Sequence, residues 1–278
     1  MFHLQPIQTL DLPELAPYRT MRMGAGHVSQ RLFVAEGEKI LRRLLESTLG
    51  VVSCLMPAKW VPEFAPLLNA RPEDIPVYLA EKKLLETLVG FSMYQGVLGV
   101  GRIPPATTLE ALLAATHPPR LLAAVDGLTN AENLGVLVRN CAAFGVQGLL
   151  VGETCSHPYL RRSVRNSMGT IFKLPLVEPP SLAATLRELS SRGTRVIAAH
   201  PHAEQKTPPA AVFAGDCCIV FGSEGLGLSP AVLAVCDEAV AIPMHPGVDS
   251  LNVGSASAVF LYEAARQRGF AGGVIVPG

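Results

Sequence analysis

Hydrophobic positions in this chain fall into short blocks with two different spacings, and the blocks alternate. From Leu32 the stretch LFVAEG reads as a strand, and GEKILRRLLEST carries Ile40, Leu44 and Leu45 at helical spacing. VVSCLM is again strand-like, and a helix is expected over Trp60 to Leu68, interrupted by Pro62 and Pro66. VYLA, the helical EKKLLETLVG and the strand QGVLGVG complete a small α/β unit. GRIPPATTLEALLAATHPPR then places two Pro-Pro pairs around a short amphipathic stretch, a composition suited to a linker. The expected boundaries are a first domain over 1–104, a linker over 105–119 and a second domain over 120–278.

The second domain repeats strand and helix strictly. Strands are expected at 121–125, 148–152, 194–199, 218–222 and 239–243, and helices at 134–144, 181–192, 229–236 and 251–268. Strongly apolar strands separated by helices imply an α/β fold with a parallel sheet covered on both faces. Ligands in such sheets sit beyond the carboxyl ends of the strands. Asp126, Gly222 and Pro243 fall at such ends.

The richest stretch is 216–266. An apolar run, Cys218 to Phe221, stops at Gly222, and Gly225 and Gly227 follow in a loop whose backbone can approach a ligand closely. Ser229-Pro230 suits a helix start. A second apolar run, Ala239 to Ile242, stops at Pro243, and after His-Pro-Gly-Val-Asp comes a helix opening with small residues, Gly254 to Ala258. For the alanines, tight packing and ligand approach explain the pattern equally; for Ser250, Asn252 and the glycine loop the reading is a ligand. Upstream, Asn133 is expected to cap a helix running to Phe144 and ended by Gly145, with Leu134, Leu137, Cys141 and Phe144 as its apolar stripe. Arg139 lies off that stripe, and spacing alone makes it a solvated charge. The glycine loop lacks the third glycine of a dinucleotide fingerprint and comes late in the domain, which argues against a nucleotide-dependent oxidoreductase.

GSEGLGLS, then IPM, then SLNV before a helix ending LYEAAR resemble the last two motifs of the SpoU/TrmH family, and NLGVLVRNCAAFGV resembles its first. The resemblance spans about 121–268. It implies an RNA ribose 2′-O-methyltransferase that uses S-adenosylmethionine, folds with a deep trefoil knot and works as a homodimer. On this resemblance Gly222, Ile242, Met244 and Leu251 surround the cofactor. Arg139 matches the family's N-x-G-x-x-x-R pattern and is assigned to activating the 2′-hydroxyl. Whether it takes the proton itself stays open, since a guanidinium does not readily give up its own proton to become a base. Asn133, Glu224, Ser250 and Asn252 match further polar positions of the motifs, Glu224 either positioning RNA or capping a helix. Gly254 stands where many relatives have serine. Arg161, Arg162 and Arg165, in a segment resembling the family's S-x-G-A stretch, are read as phosphate contacts, with an exposed helix face as the alternative. Val259, Phe260 and Tyr262 serve either a dimer interface or the core. FVAEGEKILRRLLES and YQGVLGVGR resemble an N-terminal substrate-binding domain of ribosomal-protein L30-like fold.

Charge and composition refine this picture. The formal net charge is zero, so RNA binding would rest on local patches rather than a basic excess. Arg19, Arg22 and Arg31 read as a surface arm or as RNA contacts. Six scattered cysteines and seven scattered histidines, His200 and His202 among them, show no metal-ligand spacing, and no metal is expected. No apolar run is long enough to span a membrane and the start lacks signal-peptide character, so a cytoplasmic location is expected. The target is expected to be structured RNA, ribosomal favoured over transfer RNA. The competing reading is a non-catalytic RNA-binding protein that kept the fold.

Overall fold

The computed structural model describes residues 1–89, 96–201, 203, 206–270 and 273. Gly90, Tyr94, Gln95 at the start of the QGVLGVG block, and His202 lie outside the described residues. The chain divides into two compact units, one of residues 1–105 with 157–173, the other of 106–156 with 174–278.

The first unit holds β1 (Phe2–Pro6), α1 (Ala16–Arg19), α2 (Gly24–Ser29), β2 (Leu32–Glu36), α3 (Glu38–Leu45), β3 (Val51–Met56), α4 (Val61–Asn69), β4 (Ile75–Leu79), α5 (Lys82–Val89) and β5 (Leu98–Arg102). Its sheet runs β1-β4-β3-β5-β2. β1, β4 and β3 are parallel, and β5 is antiparallel to both neighbours. Phe33, Leu55 and Leu98 of the strands and Leu41 and Leu44 of α3 are buried in its core. The expected surface arm is instead structural. Phe2–Pro6 is an edge strand, invisible to periodicity because four of its five residues are exposed. Leu15, Tyr18 and Met21 are buried. The Arg19 guanidinium donates to the carbonyls of Leu10 and Leu12, and that of Arg31 to Pro104.

The second unit begins inside the stretch expected to be a linker. There α6 (Leu109–Ala115) is capped by Thr108, whose hydroxyl accepts from the Ala111 N–H at 3.2 Å, and Leu109 and Leu112 enter the core. β6 (Leu121–Val125), α7 (Ala131–Ala143) and β7 (Gly148–Val151) follow; α8 (Arg161–Asn166) belongs to the first unit; then come β8 (Leu176–Val177), α9 (Leu182–Ser191), β9 (Arg195–Ala199), β10 (Cys217–Phe221), α10 (Pro230–Leu233), β11 (Glu238–Val240) and α11 (Val253–Gln267). The six strands are ordered β11-β9-β10-β6-β7-β8 and every pair is parallel. Wholly buried strands such as LLAAV and CCIVF need helices on both faces. Register aligns Phe221 with Val125 and Ala199, and Ala199 with Val240, so four carboxyl ends lie side by side. The two-residue β8 was not anticipated; so short a strand carries no period.

Candidate active site

At these aligned strand ends the chain makes two loops. The first is tight. Ser223 and Gly227 exchange two backbone hydrogen bonds, at 3.0 and 2.9 Å, and Gly227 takes a φ of +67°. A Cβ on Gly222 would lie 2.3 Å from the Gly227 carbonyl carbon, so only glycine lets the loop fold back on the strand. Asp126, buried at the end of β6, accepts from the Ser229 N–H at 2.7 Å, while its own N–H donates to the Phe221 carbonyl at 2.9 Å. One residue thus pins both ends of the loop. Ser229 caps α10 as its sequence suggests.

The second loop joins β11 to α11. Asn252 caps α11, its Oδ1 accepting from the Gly254 N–H at 2.8 Å. That bond fixes which way the amide faces, so Nδ2 points back toward the other motifs. It donates to Glu224 Oε1 at 2.7 Å and to Asn133 Oδ1 at 3.2 Å. Asn133 Nδ2 completes the triangle by donating to the same Glu224 oxygen. Asn133 is free to do this because it is not the cap of α7, as its sequence position suggests. Asn130 is the cap, accepting from the N–H groups of Glu132 and Asn133 at 2.8 and 3.3 Å.

The loops enclose a crevice of about 280 Å³ at the carboxyl ends of β9, β10 and β11. Gly222, Glu224, Ile242, Met244, Ser250 and Leu251 line it, and Phe221, Val253 and Phe260 supply an apolar wall. No lysine or arginine lines it among the described residues. Backbone edges, apolar walls and no cation suit a nucleoside compound without phosphate better than a pyrophosphate.

The remaining candidates sit elsewhere. Arg139 is exposed on α7, outside the crevice lining, and makes no hydrogen bond or ion pair among the described residues. Arg161, Arg162 and Arg165 belong to the first unit, not to the domain in which the sequence places them. Arg161 is largely buried and held by Glu36, to which Arg165 also pairs at 3.2 Å. Phe260 is buried against Phe221, ring centroids 5.9 Å apart, whereas Val259 and Tyr262 stay exposed on α11. The small residues of α11 divide by face. Gly254 and Ser257 pack on α7, and Ala256 lines the crevice. Cys141, Cys217 and Cys218 are buried thiols pushed up by desolvation, which makes them poor nucleophiles. Sequence reading missed the grip of Asp126 on the loop and the polar contacts of Asn140 and Ser257; a polar residue on an otherwise packed helix face was the available signal for the last two.

Fold and crevice together define an α/β protein with a parallel sheet and a ligand crevice at its strand ends. The chain belongs to the SpoU rRNA Methylase family, whose model matches residues 120–262. A Mycobacterium tuberculosis protein named as an uncharacterized tRNA/rRNA methyltransferase is 32% identical over 84% of this chain and 81% of its own. The 23S rRNA (guanosine-2′-O-)-methyltransferase RlmB of Ralstonia nicotianae is 35% identical over 68% of this chain and 76% of its own. Among solved structures, the SpoU methyltransferase AviRb of Streptomyces viridochromogenes in complex with AdoMet superposes with a TM-score of 0.79 at 25% identity, covering 92% of this chain and 98% of that one. An RNA 2′-O ribose methyltransferase does so with a TM-score of 0.79 at 27% identity, covering 95% and 99%.

Proposed function

We propose that this protein methylates a ribose 2′-hydroxyl in structured RNA, ribosomal RNA in preference to transfer RNA, with S-adenosylmethionine as donor. The observation that carries the reading is the Asn133–Glu224–Asn252 cluster. It joins residues 91 and 119 positions apart in sequence at the rim of the crevice. The backbones of Gly222, Ile242 and Leu251 would hold the cofactor, whose sulfonium supplies an electrophilic methyl group. Glu224 and Asn252 hold the loops that face the incoming ribose, and alignment of this kind can supply much of the rate enhancement. Arg139 orients the 2′-hydroxyl and its neighbouring phosphate. A 2′-hydroxyl, donor and acceptor at once, also tells RNA from DNA.

The exposed position of Arg139 outside the crevice supports the homodimer expected from the family resemblance, in which the arginine of one copy serves the crevice of the other. A knotted threading of the late loops and a cytoplasmic location belong to the same reading. No helix among the described residues is long and apolar enough to cross a membrane. In the first unit, Arg162 and Arg165 are exposed on α8, and Lys39 is exposed on α3, which supports a phosphate-binding role for this unit.

Calorimetry with S-adenosylmethionine tests the crevice. Methylation of total RNA, with Arg139→Ala as control, tests the chemistry, and mapping ribose methylation in cells with and without the protein identifies the nucleotide. Binding of RNA without methyl transfer by the wild-type protein would support the non-catalytic reading.

A further inference from the structure

We infer that Asn140 is a positioning residue for methyl transfer, acting through Gly254 on the Asn133–Glu224–Asn252 cluster; the inference rests on the function proposed above. Asn140 follows Asn133 by seven residues, two turns or about 10.5 Å along α7, and so lies on the same face. Its Nδ2 donates to the Gly254 carbonyl at 2.7 Å and to Ser257 Oγ at 3.0 Å. Ser257 Oγ in turn donates to the Gly254 carbonyl at 2.9 Å. The Gly254 N–H is held by Asn252 Oδ1, and the Asn252 amide returns to Asn133.

These bonds form a closed ring. It leaves α7 at Asn140, passes through both polar groups of Gly254 and the side chain of Asn252, and re-enters α7 at Asn133. The first turn of α11 is therefore gripped at two points by one helix. Asn252 cannot rotate or slide along α7 without breaking a bond in the ring. Since Asn252 also donates to Glu224, the ring fixes the cluster at the crevice rim. Ser257 is fully buried and Asn140 half-buried, so the bonds among Asn140, Gly254 and Ser257 are sheltered from competing water, whereas Asn252 at the rim is exposed. The chemical requirement at residue 140 is a donor of the right length, facing two oxygens.

Donor and shape can be separated. Asn140→Asp keeps the shape but sets a carboxylate against the Gly254 carbonyl; Asn140→Ala removes both the shape and the donor. Single-turnover methyl transfer at saturating S-adenosylmethionine is measured for each variant, corrected for the folded fraction from its unfolding curve. The expected result is a loss of about ten-fold or more for Ala, by misplacement of the reacting groups, and a greater loss for Asp. An Asp variant faster than Ala would assign residue 140 a packing role and overturn the inference. Should the Asp variant not fold, Asn140→Ala and Asn252→Ala are compared singly and together. The pair is expected to lose no more than Asn252→Ala alone, and additive losses would overturn the inference. Hydrogen exchange at the Gly254 amide is independent of activity and is expected to quicken at least about ten-fold in Asn140→Ala. Unchanged exchange overturns the ring even if the wild type methylates no RNA, an outcome that by itself would sink only the proposed function.

Discussion

Gly254 lies against Val136 so closely that a Cβ on the glycine would stand 2.7 Å from Val136 Cγ1. α7 and α11 therefore meet at a pair in which position 254 has no room for a side chain unless Val136 gives way. Gly254→Ser is expected to destabilise the protein by about 1–3 kcal/mol through overpacking. Val136→Ala should restore most of that loss in the double variant. Thermal unfolding of the three variants checks this, and equal destabilisation by Gly254→Ser with and without Val136→Ala would show that the serine is excluded for another reason.

Arg139 stands apart from the crevice, so its loss should spare the cofactor. Arg139→Ala is expected to lower methyl transfer by about 100-fold or more, as for removal of a group that acts on a proton or a developing charge. The dissociation constant for S-adenosylmethionine should stay within about two-fold. Calorimetry beside steady-state kinetics separates the two; a parallel loss of cofactor affinity would place Arg139 in the pocket.

Gly222 tests the opposite case. A methyl group there meets backbone, which cannot swing aside as a side chain can. Gly222→Ala is expected to displace the 223–227 loop and lower cofactor affinity by more than about ten-fold, with some loss of stability. Calorimetric titration is the check, and unchanged affinity would mean that the loop does not shape the pocket.

A pH dependence is expected in the first unit. Arg71, largely buried, donates to both oxygens of Glu73 at 2.6 and 2.9 Å and to the carbonyls of Leu45 and Leu49. The guanidinium holds the Glu73 carboxyl down to about 2. A depressed carboxylate stabilises the fold fully above its unfolded value of about 4.5 and loses that contribution as pH falls toward about 2. Urea unfolding of wild type and Glu73→Gln should therefore differ most near neutral pH and converge as pH drops through that window. A gap that stays constant to about pH 2 would argue that the pair contributes no titratable stability.

Much of the second unit was legible because its strands are buried on both faces and bounded by glycine or proline, as at Phe221-Gly222. The crevice residues Gly222, Ile242, Met244 and Leu251 were reached through motifs, and the structure places them together at the strand ends. What stayed hidden follows from long-range contacts. The capping signal of Asn133 was real in kind but belongs to Asn130, because the helix starts at Ala131, which leaves Asn133 free to bond across to Glu224. The proline pairs suggested a linker where α6 docks two leucines into the core. The edge strand Phe2–Pro6 owes its form to pairing with β4, which no local pattern records.

The placement of residues 157–173 within the first unit has a consequence for how such a protein can be divided. The polypeptide changes unit three times, after Pro105, Ser156 and Lys173. A fragment ending at Pro105 would leave Phe33 without Tyr159 and Phe172, the aromatic rings it touches at 5.2 and 5.3 Å, and Glu36 without its two arginines. The front half is therefore no cassette that recombination could lift out whole, and its inheritance is tied to a stretch encoded inside the catalytic half.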